Sequence, residues 1–190
     1  MRVEPLPIPG AFVVTPAVFD DDRGAFFEWY RHDALADAVG HRLDLAQANC
    51  SVSRRGVVRG IHYADVPPGQ AKYVMCVQGA VLDVVVDVRV GSPTFGRWEA
   101  VRLDAVNRRA VYLAEGLGHA FCALEDGATV TYLCSSTYNP AAEHAIDPLD
   151  ADLAITWPAD LELILSAKDR AAPGFRQARA AGALPTLAGV

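Results

Sequence analysis

The feature that most constrains this chain is a series of short β-type runs, each closed by a turn signal. Apolar, aromatic or β-branched residues occupy 11–14 and 26–30, then 57–63, 71–77, 80–88, 98–103, 110–113, 119–124 and 129–135. Such residues suit a pleated, half-buried surface. Between them lie Asp22-Arg23-Gly24, Pro67-Pro68-Gly69, Gln78-Gly79, Gly91-Ser92-Pro93 and Glu125-Asp126-Gly127, residues that either permit a positive φ or preset a turn. Many short strands at this spacing predict an all-β sandwich or barrel. Only short helices interrupt it. Residues 33–39 predict one, with Gly40 as its C-cap, and a second is expected near 175–181. The Gly/Ala/Pro-rich tail after Ala181 is expected to be loose, so the chain from about residue 170 reads as helical or loose. The 190 residues are expected to form a single domain over 1–190, long enough to bury a core without metals or disulfides. The N-terminal extension is a candidate to pair with another subunit's sheet edge.

Charge and cysteine usage narrow the function classes. A net charge of −6 and a pI of about 5.3 argue against nucleic-acid binding, which needs a basic footprint. A few local arginines can still hold an anionic small ligand. Cys50, Cys76, Cys122 and Cys134 share no CxxC spacing and sit in apolar or strand-like runs, so they are expected to be buried free thiols in a reducing compartment. Met1-Arg2-Val3-Glu4-Pro5 has no apolar secretory stretch. The longest apolar run, 81–86, contains Asp83 and falls short of the roughly 18 residues a membrane span needs. A cytoplasmic protein with no membrane partner is the expectation.

Candidate chemistry concentrates between Gln47 and Lys72. Strand alternation puts Val58, Gly60 and His62 on one face and Arg59, Ile61 and Tyr63 on the other, unless a bend at Gly60 relaxes the parity. Lys72 shares a face with Gln70 and Val74, and the two strands read as one hairpin-like unit. A histidine is the usual general base near neutral pH, and a lysine can stabilise an enolate oxygen. By spacing alone, His62 and Lys72 read more readily as an ordinary strand histidine and a surface lysine. His119 follows Gly116-Leu117-Gly118, a turn feeding a strand, and would point near a barrel mouth. Tyr132 lies in a strand, where its hydroxyl needs a partner or a job. No His-x-His pair precedes a glutamate: position 60 is Gly and 64 is Ala. GxGxxG, phosphate-loop and GxSxG motifs are missing too, so neither a metal nor a nucleotide cofactor is expected.

Taken in order, several blocks resemble one family, the dTDP-4-dehydrorhamnose 3,5-epimerases and their relatives in deoxysugar biosynthesis. They are Asp22-Arg23-Gly24 with Phe26 and Glu28, Gln47-Ala48-Asn49 with Ser51, and 56–62 ending in Arg59-Gly60-Ile61-His62. Gln70-Ala71-Lys72, Asp83 with Asp87, and Gly91-Ser92-Pro93-Thr94-Phe95-Gly96 follow. Gly118-His119-Ala120-Phe121, Tyr132, Tyr138, Glu143, Trp157-Pro158 and Lys168-Asp169 close the set. The resemblance implies a cupin-type jelly roll, usually a homodimer, acting on a dTDP-linked 4-keto-6-deoxy sugar without a metal. It implies His62 as base, held by Asp169, with Tyr132 as acid on the opposite ring face and Lys72 at the enolate oxygen. Arg59, His119 and Arg23 would hold diphosphate and sugar, and Glu28, Gln47 and Asn49 the nucleotide end. Phe26 falls within the same substrate-binding set. Tyr138 would stack on thymine, while Glu143 and Lys168 complete the pocket.

The implied reaction inverts C3, C5 or both, since both C–H bonds lie alpha to the C4 ketone. One block departs from the commoner rhamnose-pathway pattern: Ala-His-Gly-Phe becomes Gly118-His119-Ala120-Phe121. That swap resembles relatives from antibiotic-sugar pathways, some of which invert a single centre. A 3,4-ketoisomerase and a non-catalytic sugar-nucleotide-binding cupin are the competing readings.

Overall fold

The computed structural model describes residues 1–187. In chain order its elements are β1 (Arg2–Pro5), β2 (Ala11–Thr15), β3 (Val18–Asp21), β4 (Gly24–Phe27), α1 (His32–Val39), β5 (Gln47–Ser53), β6 (Val58–Ala64), β7 (Lys72–Gln78) and β8 (Ala80–Asp87). Then come β9 (Trp98–Asp104), β10 (Ala110–Leu113), β11 (Leu117–Ala123), β12 (Ala128–Cys134), β13 (Glu143–Ala145), α2 (Ala167–Arg170) and α3 (Phe175–Ala180). A six-stranded sheet runs β1-β2-β10-β7-β12-β5, and a five-stranded sheet runs β13-β6-β11-β8-β9. From β5 to β8 the chain changes sheet at every step, and again from β9 to β13. This is a jelly-roll barrel.

Alternation along the strands explains the packing. Val74 and Cys76 of β7 and Val130 of β12 meet Val81 and Val85 of β8 and Phe121 of β11 between the sheets. The other face of β8 presents Val84 and Val86 to Trp157, Leu165, Phe175 and Leu184 from the C-terminal region. A strand buried on both faces needs a near-continuous apolar run, which is what 81–86 supplies. On the outer face of the six-stranded sheet, Tyr73, Met75 and Tyr112 pack with Leu35 of α1 and with Trp29 and Tyr30.

Several expectations change. The run 26–30 leaves its hairpin after Phe27, because the Tyr73 hydroxyl donates to the Trp29 carbonyl at 2.6 Å and draws the segment onto the sheet. β5 is too polar to be seen as a strand in isolation; its pairing with β12 makes it one. His62 and Lys72 do not share a hairpin, since β6 and β7 lie in opposite sheets. The N-terminal extension edges the chain's own sheet, β1 pairing with β2. Through Leu187 the tail is held: the Val90 N–H donates to the Pro185 carbonyl at 2.8 Å, the Leu187 N–H donates to the Val90 carbonyl at 3.0 Å, and Leu184 is buried. Residues 188–190 lie outside the described part. Cys50 is exposed on β5, while Cys76, Cys122 and Cys134 are buried free thiols. The helices near 33–39 and 175–181 form as expected, α1 ending at Gly40 with φ 87°. Among the described residues no helix is long and apolar enough to cross a membrane.

The Gly91–Gly96 block has a structural job. Asp87 is fully buried at the end of β8 and accepts from Arg89 Nε and Nη2, both at 2.9 Å, and from the Ser92 and Thr94 hydroxyls. Arg89 Nη2 also donates to the Pro9 carbonyl at 2.8 Å, tying this turn to the N-terminal one. Burial pushes the Asp87 carboxyl up, but Arg89, Ser92 and Thr94 outweigh it and hold the group below the usual carboxylate range. Such a carboxylate contributes stability above its unfolded pKa and loses it as pH falls through the folded value. Asp87→Ala strands a buried guanidinium and is expected to cost about 3–5 kcal/mol. Urea denaturation should show a lower midpoint with an unchanged slope.

Candidate active site

The cavity is placed by an irregularity in β6. His62 pairs with His119 and Arg59 with Phe121, so β6 advances three residues where β11 advances two. That is a β-bulge, and one extra residue inverts the parity of everything beyond it. Arg59 and His62 therefore both line the cavity, while Ile61 and Tyr63 pack behind it. This corrects the plain alternation, which put Arg59 and His62 on opposite faces. Gly60 carries the bend with φ 115°, and a Cβ there would meet the His119 carbonyl oxygen and Ala120. Only glycine fits such a backbone at so close an approach.

A His–Asp pair forms one wall. His62 Nε2 lies 2.7 Å from Asp169 Oδ1. A carboxylate only accepts, so Nε2 carries the hydrogen and Nδ1 is left as the ring's lone-pair nitrogen. Asp169 is buried and held from behind. Ser166 caps α2 by accepting from the Asp169 N–H at 3.0 Å, and its hydroxyl donates to Asp169 Oδ2 at 2.9 Å. Burial raises the Asp169 carboxyl, but His62, Ser166 and Lys168 prevail and keep it below its ordinary range.

The facing wall comes from the other sheet. Lys72 of β7 and Tyr132 of β12 line the same cavity of about 670 Å³, within the range of small-ligand sites. Burial lowers the Lys72 ammonium, opposed by Cys134, Glu143 and Asp83. Burial raises the Tyr132 phenol, helped by Cys134 and Glu143, so it stays protonated at neutral pH. Gln47, Asn49 and Ser51 alternate along β5 into the cavity, Gln47 Nε2 donating to Asn49 Oδ1 at 2.8 Å. Arg59 reaches across from the opposite sheet to Ser53 Oγ at 3.2 Å. At the rim, the Tyr138 N–H donates to Gln47 Oε1 at 2.8 Å, and Glu143 of β13 and Lys168 of α2 border the opening. His119 lines it too, with Nε2 2.8 Å from the buried Asp83.

Three expected residues are elsewhere. Arg23, Phe26 and Glu28 belong to the β3–β4 hairpin and its exit, exposed and outside this cavity. The hairpin pairs only with itself, so nothing folds it back over the mouth. Ser51 and Ser166 are among the cavity-lining residues to which the sequence reading gives no role. Ser51, whose hydroxyl is buried without a partner, follows Gln47 and Asn49 at strand period two. Ser166 stands three residues before Asp169, the spacing of a helix-capping box. Gly118 and Ala120 lie on the face of β11 turned away from the cavity, Gly118 with no room for a Cβ against Ile61. The swap around His119 thus alters packing behind the cavity and leaves its lining unchanged. No group of three or more His, Cys, Asp or Glu among the described residues is placed to hold a metal ion.

Fold and cavity together define a jelly-roll barrel whose interior offers an oriented imidazole on one sheet and a protonated phenol with a buried ammonium on the other. Such a set suits proton transfer beside a developing oxyanion. The profile of the dTDP-4-dehydrorhamnose 3,5-epimerases matches residues 5–177. The dTDP-4-dehydrorhamnose 3-epimerase of Streptomyces niveus is 61% identical over 99% of this chain and 90% of its own length. The dTDP-4-dehydrorhamnose 3,5-epimerase of Mycolicibacterium smegmatis is 56% identical over 99% of this chain and 92% of its own. The crystal structure of ChmJ, a 3'-monoepimerase from Streptomyces bikiniensis in complex with dTDP-quinovose, superposes with a TM-score of 0.95 at 54% identity, covering 98% of this chain and 94% of that one. The chain belongs to the dTDP-4-dehydrorhamnose 3,5-epimerase family, a family of isomerases.

With ¹⁵N-labelled histidine, neutral His62 is expected to carry its hydrogen on Nε2, and Asp169→Asn is expected to weaken that preference. Equal tautomers in the parent protein would contradict the dyad.

Proposed function

We propose that this chain epimerises a dTDP-linked 4-keto-6-deoxyhexose, inverting C3, C5 or both through an enolate. The observation that carries this reading is His62 on one sheet, paired with Asp169 of α2, facing Tyr132 and Lys72 on the other sheet. C3–H and C5–H are acidified by the C4 ketone. His62 Nδ1 takes a proton from one face of the ring, the charge passes to O4, and Lys72 stabilises it. Tyr132 then protonates the carbon from the other face, which inverts the centre. Arg59 and His119 hold diphosphate and sugar, the guanidinium fork suiting an oxyanion. Gln47 and Asn49 contact the nucleotide end, Tyr138 stacks on thymine, and Glu143 and Lys168 close the pocket. Binding energy from the nucleotide, remote from the reacting carbons, orients the sugar.

The test is NMR of dTDP-4-keto-6-deoxyglucose incubated with the protein in deuterated water. Deuterium is expected at C3, C5 or both, and the carbons labelled state which centres are inverted. No exchange at either carbon would refute the reading for this substrate. His62→Ala is expected to lower the rate about 10²–10⁴-fold while dTDP still binds. Tyr132→Phe is expected to keep deuterium exchange and lose inversion.

The exposed hairpin supports a homodimer. Phe19 and Phe26 face one another across β3 and β4, 62% and 68% exposed, an apolar pair that a solitary chain leaves in water. Arg23, Phe26 and Glu28 would then serve the partner's cavity rather than their own. In a two-fold dimer, Arg23→Ala chains mixed with His62→Ala chains form heterodimers with one intact site. Co-expression is expected to restore about a quarter of the parent activity by statistical pairing. No recovery would place Arg23 and His62 in the same subunit's site.

A further inference from the structure

Asp83 is a buried carboxylate with no part in the chemistry above. It is 1% exposed on β8, between the inward-facing Val81 and Val85. Its Cα partner is Phe121, two residues along β11 from His119, which brings Oδ2 within 2.8 Å of His119 Nε2. Its other oxygen, Oδ1, is buried with no hydrogen-bond partner. A buried carboxylate with an unused oxygen is costly unless hydrogen-bond donors or cations compensate it.

Two groups can do so. His119 offers its Nε2–H in direct contact, and Lys72 lines the same cavity as His119, its ammonium favoured in part by Asp83. The groups around Lys72 are Cys134 and Tyr132 of β12, Glu143 of β13, Asp83 of β8, His119 of β11, and Arg59 and His62 of β6. Burial pushes the Cys134 thiol up, so it is neutral at pH 7. That leaves Glu143, at the solvent-accessible rim, and Asp83, which no solvent screens. Of the two, Glu143 acts more strongly on Lys72, while Asp83 is the one that salt screens less.

We propose that Asp83 is a positioning residue of this site: it fixes His119 with Nδ1 left for the cavity and supplies the buried counter-charge for Lys72. This rests on the epimerase reading for its consequence in turnover, but not for its structural content. The electrophilic side of the cavity is thereby set by a group that never touches the substrate.

Asp83→Asn keeps the shape and an acceptor for His119 while removing the charge. Followed by the ¹³Cε shift of Lys72, the ammonium in this variant should lose its proton about one pH unit lower than in the parent. Deuterium exchange into the substrate should fall about tenfold at alkaline pH, with dTDP affinity within threefold of the parent. A Lys72 titration identical in the two proteins overturns the proposal. If Asp83→Asn fails to fold, the parent alone decides: neutral His119 must carry its hydrogen on Nε2, and an Nδ1–H tautomer overturns it. A parent that exchanges no deuterium but shows both NMR signatures refutes the epimerase reading and leaves the role of Asp83 standing.

Discussion

Between Arg59 and His62, β6 takes three residue steps while β11, from Phe121 to His119, takes two. The extra residue turns the strand over, so the apolar Ile61 and Tyr63 share the packing behind the sheet while Arg59 and His62 share the cavity. Without it, an arginine would point into the C-terminal core or His62 would leave the pocket. Gly60 makes the turn-over possible because a side chain would collide with β11. The carboxylate on α2 can meet His62 only because the bulge aims that ring, and the cation for an oxyanion can reach the same space from β7 only because the sheets oppose one another.

Burial is the other constraint, and it acts against the charged forms of Asp169, Tyr132 and Lys72. It raises the Asp169 carboxyl and the Tyr132 phenol and lowers the Lys72 ammonium. Each case is answered differently. Asp169 gains His62 and the Ser166 hydroxyl and ends below its ordinary value. Tyr132, with burial reinforced by Glu143, stays a proton donor. For Lys72 the effect of burial is opposed by the carboxylates of Glu143 on β13 and Asp83 on β8. By contrast, the His144–Asp65 pair, at 2.7 Å, is largely exposed and contributes little. Similar geometry has different consequences at different depths.

Strand identity was legible wherever apolar residues alternate or run continuously, as in β7, β8, β10 and β12. It was illegible in β5 and β13, whose polar sequences become strands only by pairing with β12 and β6. The family blocks identified the catalytic candidates, and 11 of the 14 site residues border one cavity. Arg23, Phe26 and Glu28 could not be placed from sequence, since a block order says which residues occur and not which of them meet in space.

The residue order by itself determined that this chain makes many short strands, where the turns fall, and which side chains are available for proton transfer. Those properties follow from local backbone preference and side-chain chemistry. Only the tertiary structure decided that His62 and Lys72 face each other from opposite sheets, that Arg59 joins His62 on one face, and that the expected loose tail is tied to Val90. These depend on register and sheet closure, which are set by contacts between residues far apart in the chain.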